Sequence, residues 1–242
     1  MKVLIITPCG QEANIIEQHH KNLLNVLSVY EKDVTFDIAY ILDSYTDTDT
    51  RAILSNIIKK TYKTHTVHLV EKNVNKFTGL AGCYLQGYLF SIENRYDYVL
   101  EFDIESHEYS KIPYFINSAL KGKKAIFGTR NKNKNNSSSS FKRKLISSLG
   151  TMLSNKFLGL ELSDNTSGFQ MFSTDVIKQI NLFNFVSTSY FFQTEIKRKV
   201  LSLIEINEYE EVSFKYTNST SSISYKNIFL SFIEFIYVFT HS

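Results

Sequence analysis

Tryptophan is absent from this 242-residue chain, and cysteine and proline occur only twice each. Cys9 and Cys83 are far apart and lack the spacing of metal ligands. They point to reduced thiols and a cytoplasmic setting rather than a disulfide framework. No apolar run approaches the roughly 20 residues needed to span a bilayer. The opening Met1-Lys2-Val3-Leu4-Ile5-Ile6 turns polar too early to read as a secretory signal. Charge of one sign is scarce as well: a formal net charge of +3 is too small for a nucleic-acid binder with a concentrated basic face. What the chain does hold is apolar material, 43% hydrophobic and 14% aromatic, enough for a sizeable globular core.

The order of patterns along the chain predicts an α/β fold. Val3–Thr7, Phe36–Leu42, Thr66–Val70 and Tyr98–Phe102 read as short buried strands. Between them, Asn14–Leu27, Thr50–Tyr62 and Gly79–Glu93 read as helices, the second preceded by the acidic, hydroxyl-rich turn 43–49. Strands alternating with helices imply a mostly parallel sheet with helices on both faces. The second half is expected to hold a strand at Ala125–Phe127 and a helix at Phe141–Phe157 with Leu145, Ile146, Leu149, Met152 and Leu153 on its buried side. Helices at Val176–Ile180 and Phe191–Ile204, a strand at Glu210–Tyr216 and an apolar segment at Asn227–Thr240 follow. No repeat or linker appears, so one domain is expected over residues 1–226, with 1–130 and 131–226 as its halves and 227–242 as an appended apolar helix.

Ligands of such sheets bind beyond the carboxyl ends of the strands. The residues that follow three strands, Pro8 to Glu12, Asp43 to Asp47 and Asp103 to His107, should therefore meet at one rim. Asp103 and Glu105, two residues apart, suit a shared Mg²⁺ or Mn²⁺, which prefer oxygen ligands and leave positions open for phosphate. Acids in this place also cap helices, and Asp43 is open to that reading. Residues 121–144 carry nine Lys and Arg and no acid. Such a block faces phosphates or anionic lipid, or is simply solvated.

A resemblance adds to this. Tyr98 to His107 and Ile112-Pro113 resemble the Asp-x-Asp region of family-2 glycosyltransferases, above all the polyprenyl (dolichyl) phosphate mannose and glucose synthases, with Glu105 at the second acid. In the same order, Thr7-Pro8 with Glu12-Ala13-Asn14-Ile15, Asp43 to Asp47, Gly79-Leu80 with Gly87-Tyr88, Gly128-Thr129-Arg130, Arg143-Lys144, Ser163 to Phe169 and Phe192-Gln193-Thr194-Glu195 are similar to further motifs of that family.

The resemblance implies a GT-A (Rossmann-like) domain that transfers a hexose, with inversion, from a GDP- or UDP-linked donor to a polyprenyl phosphate. It implies nucleotide-sugar contacts from Pro8, Glu12, Asp43 and Asp103, and metal ligation by Asp103 and Glu105. Catalytic roles fall on Asp103, Glu105, Arg130 and Arg143, and acceptor contacts on Arg130, Arg143, Thr166, Ser167 and Gln193. Glu195 follows the pattern but also reads as a helix-surface acid. The lysine expected after the last strand is replaced in Ser221-Ser222-Ile223. Transfer to a sugar hydroxyl in cell-surface glycan synthesis, with His107 or Glu195 as base, and a non-catalytic nucleotide-sugar-binding relative are the rival readings. Because the implied acceptor is a lipid, the protein is expected at the cytoplasmic membrane face, directly or through a membrane subunit. Ile228–Phe239, too short to span and interrupted by Glu234, reads equally as an interfacial helix or as a helix buried on the domain.

Overall fold

The computed structural model describes residues 1–30, 34–60, 65–74, 77, 79–104, 108–130, 141–188, 190–215 and 225–240; the side chains of 141–144 and 225–227 lie outside that description. Seven strands form one sheet: β1 (Lys2–Cys9), β2 (Thr35–Leu42), β3 (Val67–Glu71), β4 (Tyr98–Glu101), β5 (Ala125–Thr129), β6 (Gln170–Ser173) and β7 (Tyr209–Ser213). Their order is β3-β2-β1-β4-β6-β5-β7. All neighbours run parallel except β6, which is antiparallel to both β4 and β5.

The helices are α1 (Ile16–Leu27), α2 (Thr48–Ile58), α3 (Gly79–Glu93), α4 (Ile112–Leu120), α5 (Phe141–Leu158), α6 (Thr174–Lys178), α7 (Phe192–Leu201) and α8 (Tyr225–Thr240). Two apolar clusters cover the two sheet faces. Val3, Ile5, Ile38 and Leu100 point into one with Leu23 and Phe115; Leu4, Ile6, Ala39 and Val99 point into the other with Tyr84, Tyr88 and Ile196. Strands covered on both sides are apolar at nearly every position, which is why β1 reads as an almost continuous run. The Asp47 side chain accepts from the Thr50 amide at 2.6 Å and starts α2, a cap worth about 1 kcal/mol.

Helix α3 lies flat on β1 because Gly87 has no side chain: a Cβ there would sit 2.8 Å from Cγ2 of Ile6. Gly87→Ala is expected to destabilise the fold by about 1–3 kcal/mol, read as a lower denaturant midpoint with an unchanged slope.

The expected α/β architecture is present, with two elements that were not expected and one packing expectation corrected. Helix α4 and strand β6 had no counterpart in the sequence reading. In α5 the apolar stripe is not the buried side: Leu145, Leu149 and Met152 are about half exposed, whereas Thr151 and Ser154 are buried. Thr151 and its neighbour Asn155 face the domain because they bond Asn165 and the Leu162 carbonyl. Helix α8 divides its faces in a similar way. Buried Glu234 accepts from the amide and hydroxyl of Thr188 (2.7 and 3.1 Å), and Val238 is buried beside it. Phe229, Ile233, Ile236, Tyr237 and Phe239 remain exposed. No described helix is long and apolar enough to cross a membrane.

Candidate active site

Parallel pairing brings the ends of β1, β2 and β4 together, since Cys9 lies opposite Leu42 and Ile6 opposite Glu101. The Thr46 hydroxyl ties the first two ends by donating to the Cys9 carbonyl (2.6 Å) while accepting from the Asp43 amide (2.9 Å). Pro8 is half-buried near the end of β1, and the Glu12 carboxylate accepts from the Gly10 amide just beyond it.

Asp43 is nearly enclosed. Its carboxylate accepts from the Ser44 amide (2.6 Å) and the Gly79 amide (3.0 Å), and Lys72 Nζ lies 3.2 Å away. Burial would raise its pKa, yet the Ser44 amide and the Lys72 ammonium hold it below the usual value. Asp43 therefore joins the end of β2 to the start of α3, a structural duty that its position in the sequence did not reveal.

Asp103 stands two residues past β4. One carboxylate oxygen, Oδ1, accepts from the Tyr84 hydroxyl. The other faces Gly168, where a Cβ would lie 3.8 Å from Oδ2 and 3.0 Å from Nε2 of Gln193. A carboxylate fixed through one oxygen at a strand end is a fitting hard ligand for an oxygen-preferring divalent cation. Glu105, the second expected ligand, and His107 lie outside the described residues, as do the Arg143 side chain and residues 131–140 of the basic block. Among the described residues no cluster of three metal-binding side chains occurs.

Behind Asp103 is a polar network. Glu101, fully buried, accepts from Tyr88, from Gln170 Nε2 (2.8 Å) and from Gln193 Nε2 (3.1 Å), and Gln170 donates to Gln193 Oε1 (2.6 Å). Burial pushes the Glu101 carboxyl up to about 8, against these three donors. Gln193, expected on the acceptor side, thus points inward. Its bonds hold α7 against β4 and β6. The one signal in the sequence was Glu101 itself, the single acid in an otherwise apolar strand.

The turn 164–168 connects this network to a second centre. Asp164, with no exposed side chain, accepts from Arg130 Nε (2.7 Å), from a terminal Arg130 nitrogen (2.9 Å) and from the Arg130 amide (3.2 Å). Burial opposes the charge, but the guanidinium holds the Asp164 carboxyl well below the usual carboxylate range. The same Arg130 nitrogen donates to Thr166 Oγ1 (2.6 Å) and Ser147 Oγ (3.1 Å). Arg130, Thr166 and Ser147 form the polar end of a cavity of about 320 Å³. Its remaining walls are mostly apolar, from α5 (Ile146, Leu149, Leu153), from Tyr190 and Phe191, and from α8 (Ile228, Phe232, Phe235). Ser167 is buried and accepts from the Phe169 amide (3.3 Å). Glu195 is not a surface acid: it is buried and accepts from the Val186 and Ser187 amides (3.2 and 2.9 Å).

A mostly parallel seven-stranded sheet with one reversed strand and an acidic rim is the GT-A arrangement of nucleotide-sugar glycosyltransferases, and the fold of this chain is of that class. Among solved structures it is similar to glucosyl-3-phosphoglycerate synthase from Mycobacterium tuberculosis with Mn²⁺, UDP-glucose and glycerol 3-phosphate, at TM-score 0.68 and 11% identity over 99% of this chain and 79% of that one. It is also similar to S. aureus TarS, at TM-score 0.60 and 14% identity over 100% of this chain and 39% of that one. In sequence it is similar to the undecaprenyl-phosphate mannosyltransferase of Micrococcus luteus, 30% identical over 137 residues, or 54% of this chain and 53% of that protein. The chain thus spans about half the length of the curated relative it matches. No family model matches it.

Proposed function

We propose that this protein is a family-2 glycosyltransferase that moves a hexose from a nucleoside diphosphate to the phosphate of a polyprenyl-type lipid, with inversion. One observation carries the proposal: the turn 164–168 joins an acidic rim at Asp103 to an apolar-walled cavity headed by Arg130. A nucleotide-sugar suits the first, and an amphiphile with an anionic head suits the second. The Mn²⁺ of the M. tuberculosis complexes and the lipid phosphate in the Micrococcus luteus protein's name agree with this division.

In this reading Pro8, Glu12 and Asp43 border the nucleoside, and Asp103 with Glu105 holds Mg²⁺ or Mn²⁺. Such a cation, when bound, offsets charge on the departing diphosphate. The acceptor phosphate oxygen attacks the anomeric carbon as the bond to the diphosphate breaks, and a single in-line displacement inverts that carbon. A phosphate needs no strong base, so the chain's own work is placement and charge stabilisation. Arg130 and Thr166 orient the acceptor head, Tyr84 keeps Asp103 from turning, and Arg143 supplies a second guanidinium, whose fork suits phosphate.

The test is thermal unfolding with GDP- and UDP-sugars. A donor bound at 100 times its dissociation constant should stabilise by about 2.7 kcal/mol, with Mn²⁺ and not without it. No protection by any such donor would refute the proposal.

The half-exposed faces of α5 and α8 carry its membrane side. The helices meet through Phe157, whose ring centroid is 5.5 Å from that of Phe239 and 6.2 Å from that of Phe235. Together they present Leu145, Leu149, Met152, Phe229, Ile233 and Ile236. Lys121, Lys123 and Lys124 do not add to this face: they precede β5, at the opposite end of that strand from Arg130, and Lys124 is paired with Glu208. Lys142, Arg143 and Lys144, in the first turn of α5, would supply the basic charge, and two weak signals of this kind give lasting attachment to anionic lipid. The protein is expected to sediment with anionic liposomes at low salt and to be released at high salt. The double substitution Phe229→Ser/Ile233→Ser should weaken binding about tenfold or more, from lost apolar area alone, without changing nucleotide affinity. Indifference of the wild type to these liposomes would leave a membrane subunit as the anchor.

A further inference from the structure

Among the described residues, Lys197 is the one lysine in the group of large, fully buried side chains, with 0% of its surface exposed. It lies on α7, one turn beyond Gln193, and its ammonium points at the turn 164–168. Nζ donates to the Ser167 carbonyl at 2.5 Å and to the Asn165 carbonyl at 3.2 Å. Thr194 supports the second of these, its hydroxyl donating to the Asn165 carbonyl at 3.1 Å. Helix α7 thus grips the main chain on both sides of Thr166, while Arg130, Asp164 and Ser147 grip the Thr166 side chain and amide. Burying an ammonium is costly unless it is well partnered. Here the charge is spent on two carbonyls and on its nearness to Asp164.

The charged groups around Lys197 are Asp164, Arg130, Glu101 and Glu211. Asp164 is the carboxylate that both cations share. With Arg130 alone, Asp164 makes a neutral pair, and a phosphate entering the cavity would meet little attraction. The Lys197 charge offsets the further carboxylate of Glu211, so that the Arg130 end of the cavity is less negative than it would be without it.

We propose that Lys197 is a positioning residue for the acceptor phosphate: it fixes the turn that carries Thr166 and adds positive charge behind the Arg130 end of the cavity. The role rests on the function proposed above and deepens it. Burial lowers the Lys197 ammonium to about 8, against the pull of Asp164. Its charge is therefore present in mildly acidic and neutral solution and is lost as pH rises through that value. An alkyl phosphate has its second pKa near 6 and is about nine-tenths dianion by pH 7, so the acceptor's own charge changes little across the window above it.

The experiment measures acceptor KM with farnesyl phosphate, kcat, and nucleotide-sugar Kd separately, on the full chain, from about pH 7 to about pH 9.5. In the wild type the acceptor KM should rise as pH passes 8. Lys197→Met, similar in length and uncharged, should raise the acceptor KM about tenfold at pH 7, leave nucleotide-sugar Kd within about twofold and kcat less affected, and lose the pH dependence. Equal KM values in both proteins, or the same pH slope in both, would overturn the inference while leaving the glycosyltransferase reading in place. Should Lys197→Met not fold, a flat wild-type acceptor KM across that window overturns it without any variant. A wild type that binds no nucleotide-sugar and uses no farnesyl phosphate would overturn the reading and the inference together.

Discussion

Asp103→Asn is expected to lower the rate of hexose transfer by roughly three orders of magnitude, since a Lewis-acid contribution of several kcal/mol rides on that carboxylate. The fold should not notice the change. Asn keeps a carbonyl oxygen where Tyr84 donates to Oδ1, and the rest of the Asp103 environment is the rim rather than the core. The expected signature is a melting temperature close to wild type together with loss of the Mn²⁺-dependent protection by nucleotide-sugar. Glu105→Asp, by contrast, should stay active, because it restores the commoner acid of the motif it resembles. A near wild-type rate in Asp103→Asn would place the donor site elsewhere.

Arg130→Met should unfold the protein far more readily, by about 3–5 kcal/mol, because it strands a fully buried carboxylate. Lys197 cannot take over the fork, since its ammonium is committed to the carbonyls of Asn165 and Ser167. Adding Asp164→Asn to Arg130→Met should recover most of the loss, a coupling that a double-mutant cycle in denaturant reads directly. The sign of the pH dependence follows from the direction of the shift. Asp164 has its folded pKa below its unfolded one. The pair therefore contributes fully above the unfolded value near 4, and its contribution fades as pH falls towards the folded value. The gap between wild type and Arg130→Met should accordingly narrow in acid. A constant gap would mean that the stability of Arg130 comes from packing and not from the ion pair.

Where the sequence was legible, the physics was local. β1, β2 and β4 announced themselves because strands covered on both faces are apolar at nearly every position; β3, a half-buried edge strand, was readable from its β-branched and apolar residues, and α3 was readable to its ends. Strand β6 was not, since Gln170 to Ser173 owes its form to pairing with β4 and β5 on either side, far away in the chain. The stripe Leu145, Ile146, Leu149, Met152 and Leu153 was correctly seen as one face of a helix. Periodicity shows that such a face exists, not what it meets, and here it meets a cavity and solvent as much as the core.

The site divides in the same manner. The rim could be inferred, because strand ends and acids are visible in order. The network of Tyr88, Glu101, Gln170 and Gln193 comes from four separated segments; Glu101 alone stood out, as the acid in an apolar strand, and nothing in the spacing joined it to the other three. Lys197 precedes Arg198 and Lys199 in what looks like a solvated basic run, and only the packing of α7 against the turn 164–168 turns it inward.

The most direct test of the central claim is the transfer reaction itself: purified full-length protein, Mn²⁺, labelled UDP- and GDP-hexoses, and farnesyl phosphate as a short polyprenyl acceptor. The account predicts a metal-dependent, acid-labile glycolipid phosphate of inverted anomeric configuration, formed with one of the two nucleotides and absent with Asp103→Asn. Labelled hexose passing instead to a sugar hydroxyl, or to no acceptor while the donor still binds, would contradict it.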